Sequence, residues 1–185
     1  MTVQTTWFVG GATGDWRVRE VRLTVGAPLP TVTAVSVLPP DGRPRPAAAW
    51  ALAGVASHER YVHRPERTRL QAVQPTLGRP DSTRAALIPV RKSPAWWALT
   101  QDERRAIFEE QSAHIAVGLQ YLPAIARKLY HSRDLGEPFD FLTWFEFAPA
   151  DEPHFDAMLV RMRSAREWSF VDREIDVRLE RSGAP

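Results

Sequence analysis

Apolar and polar residues alternate along the N-terminal part of the chain, which is typical of strands buried on one face. From this alternation we expect strands over Thr5–Val9, Trp16–Thr24 and Thr31–Leu38. Proline and glycine then cluster between Leu38 and Pro46, at positions 39, 40, 42, 44 and 46. Such a cluster predicts a loop that joins this strand-rich part to the rest of the fold.

The pattern after the loop predicts four further strands. Trp50–Tyr61 and Ala85–Arg91 are short and apolar, although Gly54 weakens the first and Pro89 indicates that the second lies at a sheet edge or ends there. Phe139–Phe147 and Trp168–Leu179 alternate strongly. Residues 62 to 83 are polar and irregular, and we expect no regular element there.

The middle of the chain has a helical period. Thr100 and Glu103 form a capping-box signal, which predicts that a helix begins there. Its inward face contains Ile107, Glu110, His114 and Val117, whose spacing fits 3.6 residues per turn. Gly118 and Pro123 interrupt the period, so we expect a kink followed by a second helical stretch that ends near Tyr130. Pro153–Arg163 predicts one more amphipathic helix.

This order of strands and helices predicts an α+β fold in which helices cover one face of an antiparallel sheet. A ferredoxin-like βαββαβ unit, extended at its N-terminus, accounts for the order most simply. The 185 residues suffice for a single domain with a sizeable core.

Composition narrows the possible functions. Because the chain has no cysteine, it cannot form disulfides, iron–sulfur clusters or a thiolate–haem bond. Its net charge of +2, from 24 basic and 22 acidic residues that are interspersed, does not suggest a nucleic-acid partner. We see neither a signal peptide nor an apolar run long enough to span a bilayer, so we expect no membrane contact and a cytoplasmic location.

His114 is the residue whose chemistry is least expected from its position. It belongs to a largely apolar face of the predicted helix, and the five histidines of the chain show no helical metal-ligand spacing. One interpretation is a core histidine whose nitrogens are satisfied by neighbours. The other is an axial ligand of a haem iron, since a neutral imidazole on a helix commonly serves as one.

Arg127 follows His114 by thirteen residues, and it too allows two interpretations. An arginine on an apolar segment can extend its guanidinium group to solvent. If the kink brings the segment across a flat cofactor, the same guanidinium can instead hold an anion near the metal. The pair Trp96 and Trp97 can belong to the core and to a dimer surface, which we favour for Trp97, whereas Trp96 can instead pack against a porphyrin. Lys92 and Glu167 can be surface charges, or they can approach His114, which needs a partner for its second nitrogen.

Long runs of this sequence resemble the chlorite dismutase family, and within it the short, dimeric subgroup. The resemblance extends from about Trp50 to Leu179 and is densest in four segments: Leu87–Trp97, Gln101–Glu110, Ser112–Arg127 and Leu129–Phe147. It implies a ferredoxin-like α+β barrel. Residues 1–46 would be a shortened strand-rich part, and residues 47–180 would be the complete haem-binding part.

The resemblance also implies a role for each candidate residue. His114 would be the axial ligand of a haem b iron and Glu167 its hydrogen-bond partner. Arg127 would be the catalytic arginine on the opposite side of the haem. Other residues would complete the surroundings: Lys92 and Trp96 near His114, Ile88 against the haem, Gln74 restraining Arg127, Leu122 in the apolar pocket, and Trp97 near a homodimer interface.

The implied reaction converts chlorite to chloride and dioxygen through a ferryl species, while Arg127 retains hypochlorite until the O–O bond forms. The related coproheme decarboxylases carry a tyrosine where this chain has Ile88, four residues before Lys92. They also tend to have a neutral side chain where this chain has Arg127, so both positions argue against that activity. Coproheme decarboxylase, a haem peroxidase, a haem carrier or sensor, and a haem-free interaction module remain as alternatives.

Overall fold

The computed structural model describes residues 5–41, 44–56 and 61–183, and in these residues eight antiparallel strands close into a barrel. The strands are β1 (Thr6–Gly11), β2 (Trp16–Val25), β3 (Ala34–Leu38), β4 (Trp50–Ala56), β5 (Arg84–Lys92), β6 (Ala126–His131), β7 (Phe141–Phe147) and β8 (Val171–Arg181). Around the barrel they neighbour one another in the order β1-β3-β2-β8-β5-β7-β6-β4.

Five α-helices connect or flank these strands in the described part of the chain. They are α1 (Arg64–Val73), α2 (Pro94–Ala98), α3 (Gln101–Arg105), α4 (His114–Tyr121) and α5 (Glu152–Arg163). A π-helical turn, Ala106–Glu110, continues α3, and 3-10 turns lie at Arg133–Leu135, Pro149–Asp151 and Arg166–Phe170. The predicted α+β class, with an antiparallel sheet and helices, is therefore confirmed. No helix among the described residues is both long and apolar enough to cross a bilayer.

Strands β5 and β7 have two apolar faces, because successive side chains along each strand point to opposite sides of the sheet. In β5, Ala85 and Leu87 belong to the core inside the barrel, whereas Ala86, Ile88 and Val90 belong to a second core outside it. Residues of α4 and α5, such as Val117 in the former and Leu159 in the latter, complete this outer core. The helices thus cover the outer face of β5, β6 and β7, and the functional site described below lies between these two layers.

Most of the strands that the alternation predicts are present near their expected positions. β1 to β3, β7 and β8 overlap the predicted segments, and α5 coincides closely with the predicted amphipathic helix. Thr100 and Glu103 make the expected reciprocal cap at the start of α3. β4 ends at Ala56, and positions 57–60 of the longer predicted strand lie outside the described residues, as does Gly42 of the predicted loop.

Two sequence predictions about helices are wrong. Residues 62 to 83 contain α1, which begins after His63 with a proline in its first turn and a capping box formed with Glu66. The predicted second helical stretch is instead strand β6, which pairs along its length with β7. The period of residues 124 to 131 fits both structures, and the long-range partner strand decides between them.

The predicted continuous helix around His114 is also interrupted. The π-helical turn ends at Glu110, and Ala113 adopts a left-handed backbone conformation with φ of 51° before α4 begins. His114 is therefore the first residue of a new helix rather than a position within an old one. A further error concerns Pro89, because β5 has β7 on one side and β8 on the other and is not an edge strand.

Candidate active site

A large apolar cavity lies between the outer face of the sheet and helices α4 and α5. The empty space between its walls is about 1310 Å³ when the part that opens to solvent is included. Apolar side chains form most of its wall, among them Ile88, Leu122, Ile125, Phe145, Met158 and Leu159. The polar groups are few, and His114, Lys92, Glu167 and Arg127 are among them.

Strand β6 brings two polar side chains, Arg127 and His131, into this cavity by simple alternation. Arg127, Leu129 and His131 occupy every second position, and all three line the cavity. They pair with Phe145, Thr143 and Phe141 of β7, which line it too. Tyr130, between them, belongs to the core inside the barrel. The register of β6 against β7 therefore determines that Arg127 faces the cavity.

His114 enters the cavity from the start of α4. Its Nδ1 atom lies 2.7 Å from a carboxylate oxygen of Glu167. The ring of Phe108 stacks on the imidazole, with centroids 4.2 Å apart. One ring nitrogen and one ring face are thus occupied by neighbours within the chain, which restricts the orientation of the imidazole.

Glu167 joins two cationic partners in a buried cluster. Its second carboxylate oxygen accepts a hydrogen bond from the ammonium group of Lys92 at 2.6 Å. Glu167 and Lys92 are only 4% and 5% exposed. A buried ion pair of this kind is costly unless each partner is well hydrogen-bonded, and here the carboxylate has a donor on both oxygens.

The charge state of Glu167 follows from this cluster. Burial alone would raise the pKa of its carboxyl group, but the charges of His114 and Lys92 and their hydrogen bonds lower it to about 2. Glu167 is therefore ionised at neutral pH, and the short bond to His114 requires a proton on Nδ1. A neutral imidazole in this tautomer presents Nε2 as the nitrogen that can ligate a metal.

Two indole rings surround the ammonium group of Lys92. Its nitrogen lies 4.7 Å from the ring centre of Trp96 and 5.3 Å from that of Trp168. The indole N–H of Trp168 donates to Glu174 at 2.8 Å. These aromatic faces stabilise the buried cation, and through it they support the ionised Glu167.

Trp96 contributes a second polar feature. Its side chain is 1% exposed and lies between Tyr61 and Phe170, and it lines the cavity. Its indole N–H has no hydrogen-bond partner among the described residues. A buried donor of this kind calls for an acceptor, and an acceptor within the cavity can supply one.

Comparison with known proteins now identifies the family. A family model described as chlorite dismutase matches residues 47–180. The chain belongs to the chlorite dismutase family. The crystal structure of a dimeric chlorite dismutase from Nitrobacter winogradskyi is 52% identical in sequence and superposes with a TM-score of 0.89, covering 96% of this chain and 99% of that one.

More distant chlorite dismutases match parts of the chain. Crystal structures of the enzyme from Candidatus Nitrospira defluvii are 29% identical with a TM-score of 0.60, over 72% of this chain and 54% of theirs. A chlorite dismutase from Ideonella dechloratans is 42% identical over 62 residues, which is 34% of this chain and 20% of that protein. The chain thus spans about half the length of the Nitrospira structures and matches a fifth of the Ideonella protein.

Among the site residues predicted from the sequence, seven line the cavity of this chlorite dismutase family member. They are Ile88, Lys92, Trp96, His114, Leu122, Arg127 and Glu167. Gln74 lies behind the wall rather than in it, and its side-chain amide donates to the main-chain carbonyl of Arg127 at 2.8 Å. The contact in the structure therefore holds the strand that carries Arg127, whereas the sequence prediction concerned the side chain itself.

Trp97 does not line the cavity. Its indole N–H donates to Asp140 at 3.2 Å, and its ring stacks on Phe141. The guanidinium carbon of Arg133 lies 4.0 Å from the ring centre. These contacts within the chain account for much of the tryptophan surface, and a place near a subunit interface stays a prediction.

Sequence reasoning missed several residues that shape the site. Phe108 and Trp168 were not singled out, although Trp168 directly follows Glu167 and Phe108 belongs to the predicted helix before His114. Glu174 was also missed, because an acidic residue in an alternating strand is typical of a solvent-facing position. In the structure Glu174 is fully buried and lies at the wall of the cavity.

Proposed function

We propose that this protein is a haem b-dependent chlorite dismutase, which converts chlorite to chloride and dioxygen. One observation carries the proposal: an imidazole with its Nδ1 fixed by a buried carboxylate, and an arginine on a separate strand, line the same apolar cavity. The first arrangement suits an axial ligand, and the second suits an anion site beside the metal.

The residues of the cavity fit a haem. The wall is largely apolar, as a porphyrin requires, and His114 offers Nε2 while Glu167 holds Nδ1. The indole N–H of Trp96, which is buried and has no acceptor among the described residues, would be available to a polar group of such a cofactor. Structures of the Candidatus Nitrospira defluvii enzyme with imidazole, and of a mutant of it with cyanide, are consistent with this assignment, because both molecules are common ligands of haem iron in general.

When bound, haem would supply the iron that accepts an oxygen atom from chlorite and returns it to form dioxygen. His114 would ligate that iron. Glu167 would make the imidazole more basic by accepting its Nδ1 proton in a hydrogen bond. Arg127 would attract chlorite and keep the chlorine-containing fragment in the cavity by charge. Apolar neighbours, including Leu122 and Ile88, would exclude water from the reacting groups.

Two observations favour this activity over the alternatives. The side chain at position 88 is an isoleucine buried against the outer core, so it offers no phenol for a decarboxylase. Arg127 faces the cavity from its strand, and a haem carrier or sensor has no need of such a cation. We further propose that β5 to β8 form a ferredoxin-like unit, because helices connect β5 to β6 and β7 to β8 and the sheet order is β8-β5-β7-β6.

We propose that the protein is a homodimer, by analogy with the dimeric Nitrobacter winogradskyi structure, and that Trp97 lies near the interface. Trp97 is half-buried in one chain, and its neighbour Arg104 and the cation Arg133 leave a charged rim around it. Light scattering of the purified protein tests this state. A homodimer mass is expected, and a monomer at micromolar concentration contradicts it.

An oxygen electrode tests the activity. We expect the haem-loaded protein to release one dioxygen for each chlorite added, and the haem-free protein to release none. Absence of dioxygen from protein that retains haem would favour the peroxidase, decarboxylase and carrier alternatives. Addition of coproheme with peroxide would then distinguish the decarboxylase from the other two.

A further inference from the structure

The helix that carries His114 begins in an unusual way. Ala113, the residue before it, has φ of 51°, a left-handed conformation that non-glycine residues seldom adopt. Such a conformation is energetically unfavourable and persists only where its surroundings hold it. The short helix α4 also leaves the N–H groups of its first turn without partners inside the helix.

A carboxylate from the preceding turn satisfies those groups. The N–H of Ile115 donates to one oxygen of Glu109 at 2.6 Å, and the N–H of Ala116 donates to the other at 3.2 Å. The main-chain carbonyl of Glu109 accepts from the N–H of Ala113 at 2.8 Å. Glu109 thus contacts the segment on both sides of His114.

The same segment is tied to the partner of His114. The hydroxyl oxygen of Ser112 accepts a hydrogen bond from the main-chain N–H of Glu167 at 3.0 Å. Contacts therefore run from Glu109 through the start of α4 to His114, from His114 to Glu167, and from Glu167 back to Ser112. A shift of the start of α4 would move the imidazole relative to its carboxylate.

We propose that Glu109 is a positioning residue, which holds the first turn of α4 so that His114 presents Nε2 to the iron in a fixed orientation. This inference rests on the proposed function, because it takes His114 as the iron ligand. A side chain that bonds the second and third N–H groups of a helix acts as its N-terminal cap. A negative charge there is also favourable to the helix dipole.

The neighbouring residue provides a matched control. Glu110 has the same charge and is one position farther along the same turn, but its side chain is exposed. The variants to compare are Glu109→Ala, Glu109→Gln and Glu110→Ala. Glutamine keeps one oxygen acceptor and removes the charge, so it should restore part of what alanine loses.

Three measurements separate positioning from general stability. In haem-free protein, hydrogen exchange at the amides of Ile115 and Ala116 should accelerate in Glu109→Ala by about fivefold to tenfold, as expected for a lost cap. In haem-loaded protein, the rate of haem transfer to apomyoglobin should rise by a similar factor. The iron–histidine stretching band in the resonance Raman spectrum of the ferrous protein should shift or broaden.

The expected pattern is a change in all three measurements for Glu109→Ala, a smaller change for Glu109→Gln, and none for Glu110→Ala. Unchanged haem transfer and an unchanged band in Glu109→Ala would overturn the proposal, even if amide exchange accelerates. If Glu109→Ala does not fold, the haem-transfer rate and the Raman band of Glu109→Gln are compared with those of Glu110→Ala, and the same outcomes support or overturn the proposal. Failure of the proposed function is distinguishable, because the band would then be absent from the parent protein or persist in His114→Ala.

Discussion

The two walls of the cavity are held in different ways. On the His114 wall, the imidazole, Glu167 and Lys92 are joined by hydrogen bonds of 2.6 and 2.7 Å, and two indoles enclose the ammonium group. On the Arg127 wall, a half-buried side chain projects from a strand, and Gln74 holds the main chain of that strand. The first arrangement fixes the orientation of the proposed metal ligand, and the second supports the strand from which Arg127 reaches the cavity.

The comparison indicates which side of the cavity needs a fixed geometry for the proposed reaction. An axial ligand must keep one geometry through every turnover, so its second nitrogen is bonded to a buried, ionised partner. A cation that receives one anion and retains another must adapt to both, and a long side chain with several donors can do so. Substitutions on the two walls should therefore affect different properties: cofactor binding and acid stability for one, turnover for the other.

The largest expected effect is the loss of the ligand itself. His114→Ala should weaken haem binding by more than about 1000-fold. Removing only the hydrogen-bond partner of a ligating histidine typically lowers metal affinity by about 10- to 100-fold, and removing the ligand itself should cost more. Titration of haem-free protein followed by absorbance measures this affinity. His131→Gln, a change at another histidine of the cavity wall, is the control, and loss of haem from that variant instead would reassign the ligand.

Next in size is the effect of removing the cation. Arg127→Ala should lower turnover of chlorite by about 100-fold to 1000-fold, as for other groups that stabilise a developing or retained anion, while haem affinity stays unchanged. Steady-state dioxygen release measures it. Lys128→Ala, at an exposed cation on the same strand, should retain full activity. Equal activity in the two variants would contradict a role for Arg127.

A smaller effect should appear in acid, where Glu167 becomes protonated. The folded-state pKa of about 2 lies below the ordinary value of 4.5, so the ionised carboxylate stabilises the fold above pH 4.5 and this contribution is lost as the pH falls toward 2. By linkage the loss is of the order of 1–3 kcal/mol. Urea unfolding of haem-free protein at several pH values between 7 and 2 measures it.

Glu167→Gln should flatten this pH dependence, since glutamine does not titrate, and it should also weaken haem binding by about 10-fold to 100-fold. Glu103→Gln, which removes a surface carboxylate at the start of α3, should leave both properties near those of the parent protein. A Glu167→Gln variant with the same acid-induced loss as the parent would show that other carboxylates cause it.

The smallest expected effect concerns the support of β6. Gln74→Ala removes the hydrogen bond to the main-chain carbonyl of Arg127 and should reduce turnover by about threefold without changing haem affinity. Comparison with Gln71→Ala, at an exposed position of the same helix, controls for changes in α1. A larger loss than in Arg127→Ala would place the main role of this wall in Gln74 rather than in the cation.

The sequence was most informative where local pattern and tertiary structure agree. Alternation located β7 and β8, and the capping box located the start of α3, because these signals depend on neighbouring residues. The stretch that forms β6 was assigned to a helix. Its residues fit either period, and only pairing with β7 turns Arg127 into the cavity.

The site was predicted mainly through resemblance rather than through chemistry visible in the chain. Local pattern left His114 as either a core residue or a ligand, and no spacing rule links it to Glu167, which is 53 positions away. No spacing rule links Trp168 or Glu174 to His114 either. Their contacts exist only once β8 lies beside β5 and the turn Arg166–Phe170 brings Glu167 to His114.

The origin of the oxygen atoms in the product tests the central claim most directly. Haem-loaded protein would be given chlorite labelled with oxygen-18 in unlabelled water, and the dioxygen would be analysed by mass spectrometry. If Arg127 retains the chlorine-containing fragment while apolar walls exclude water, both atoms of each dioxygen molecule come from chlorite, and the doubly labelled species dominates. Dioxygen that contains one atom from water would contradict retention and the division of labour between the two walls.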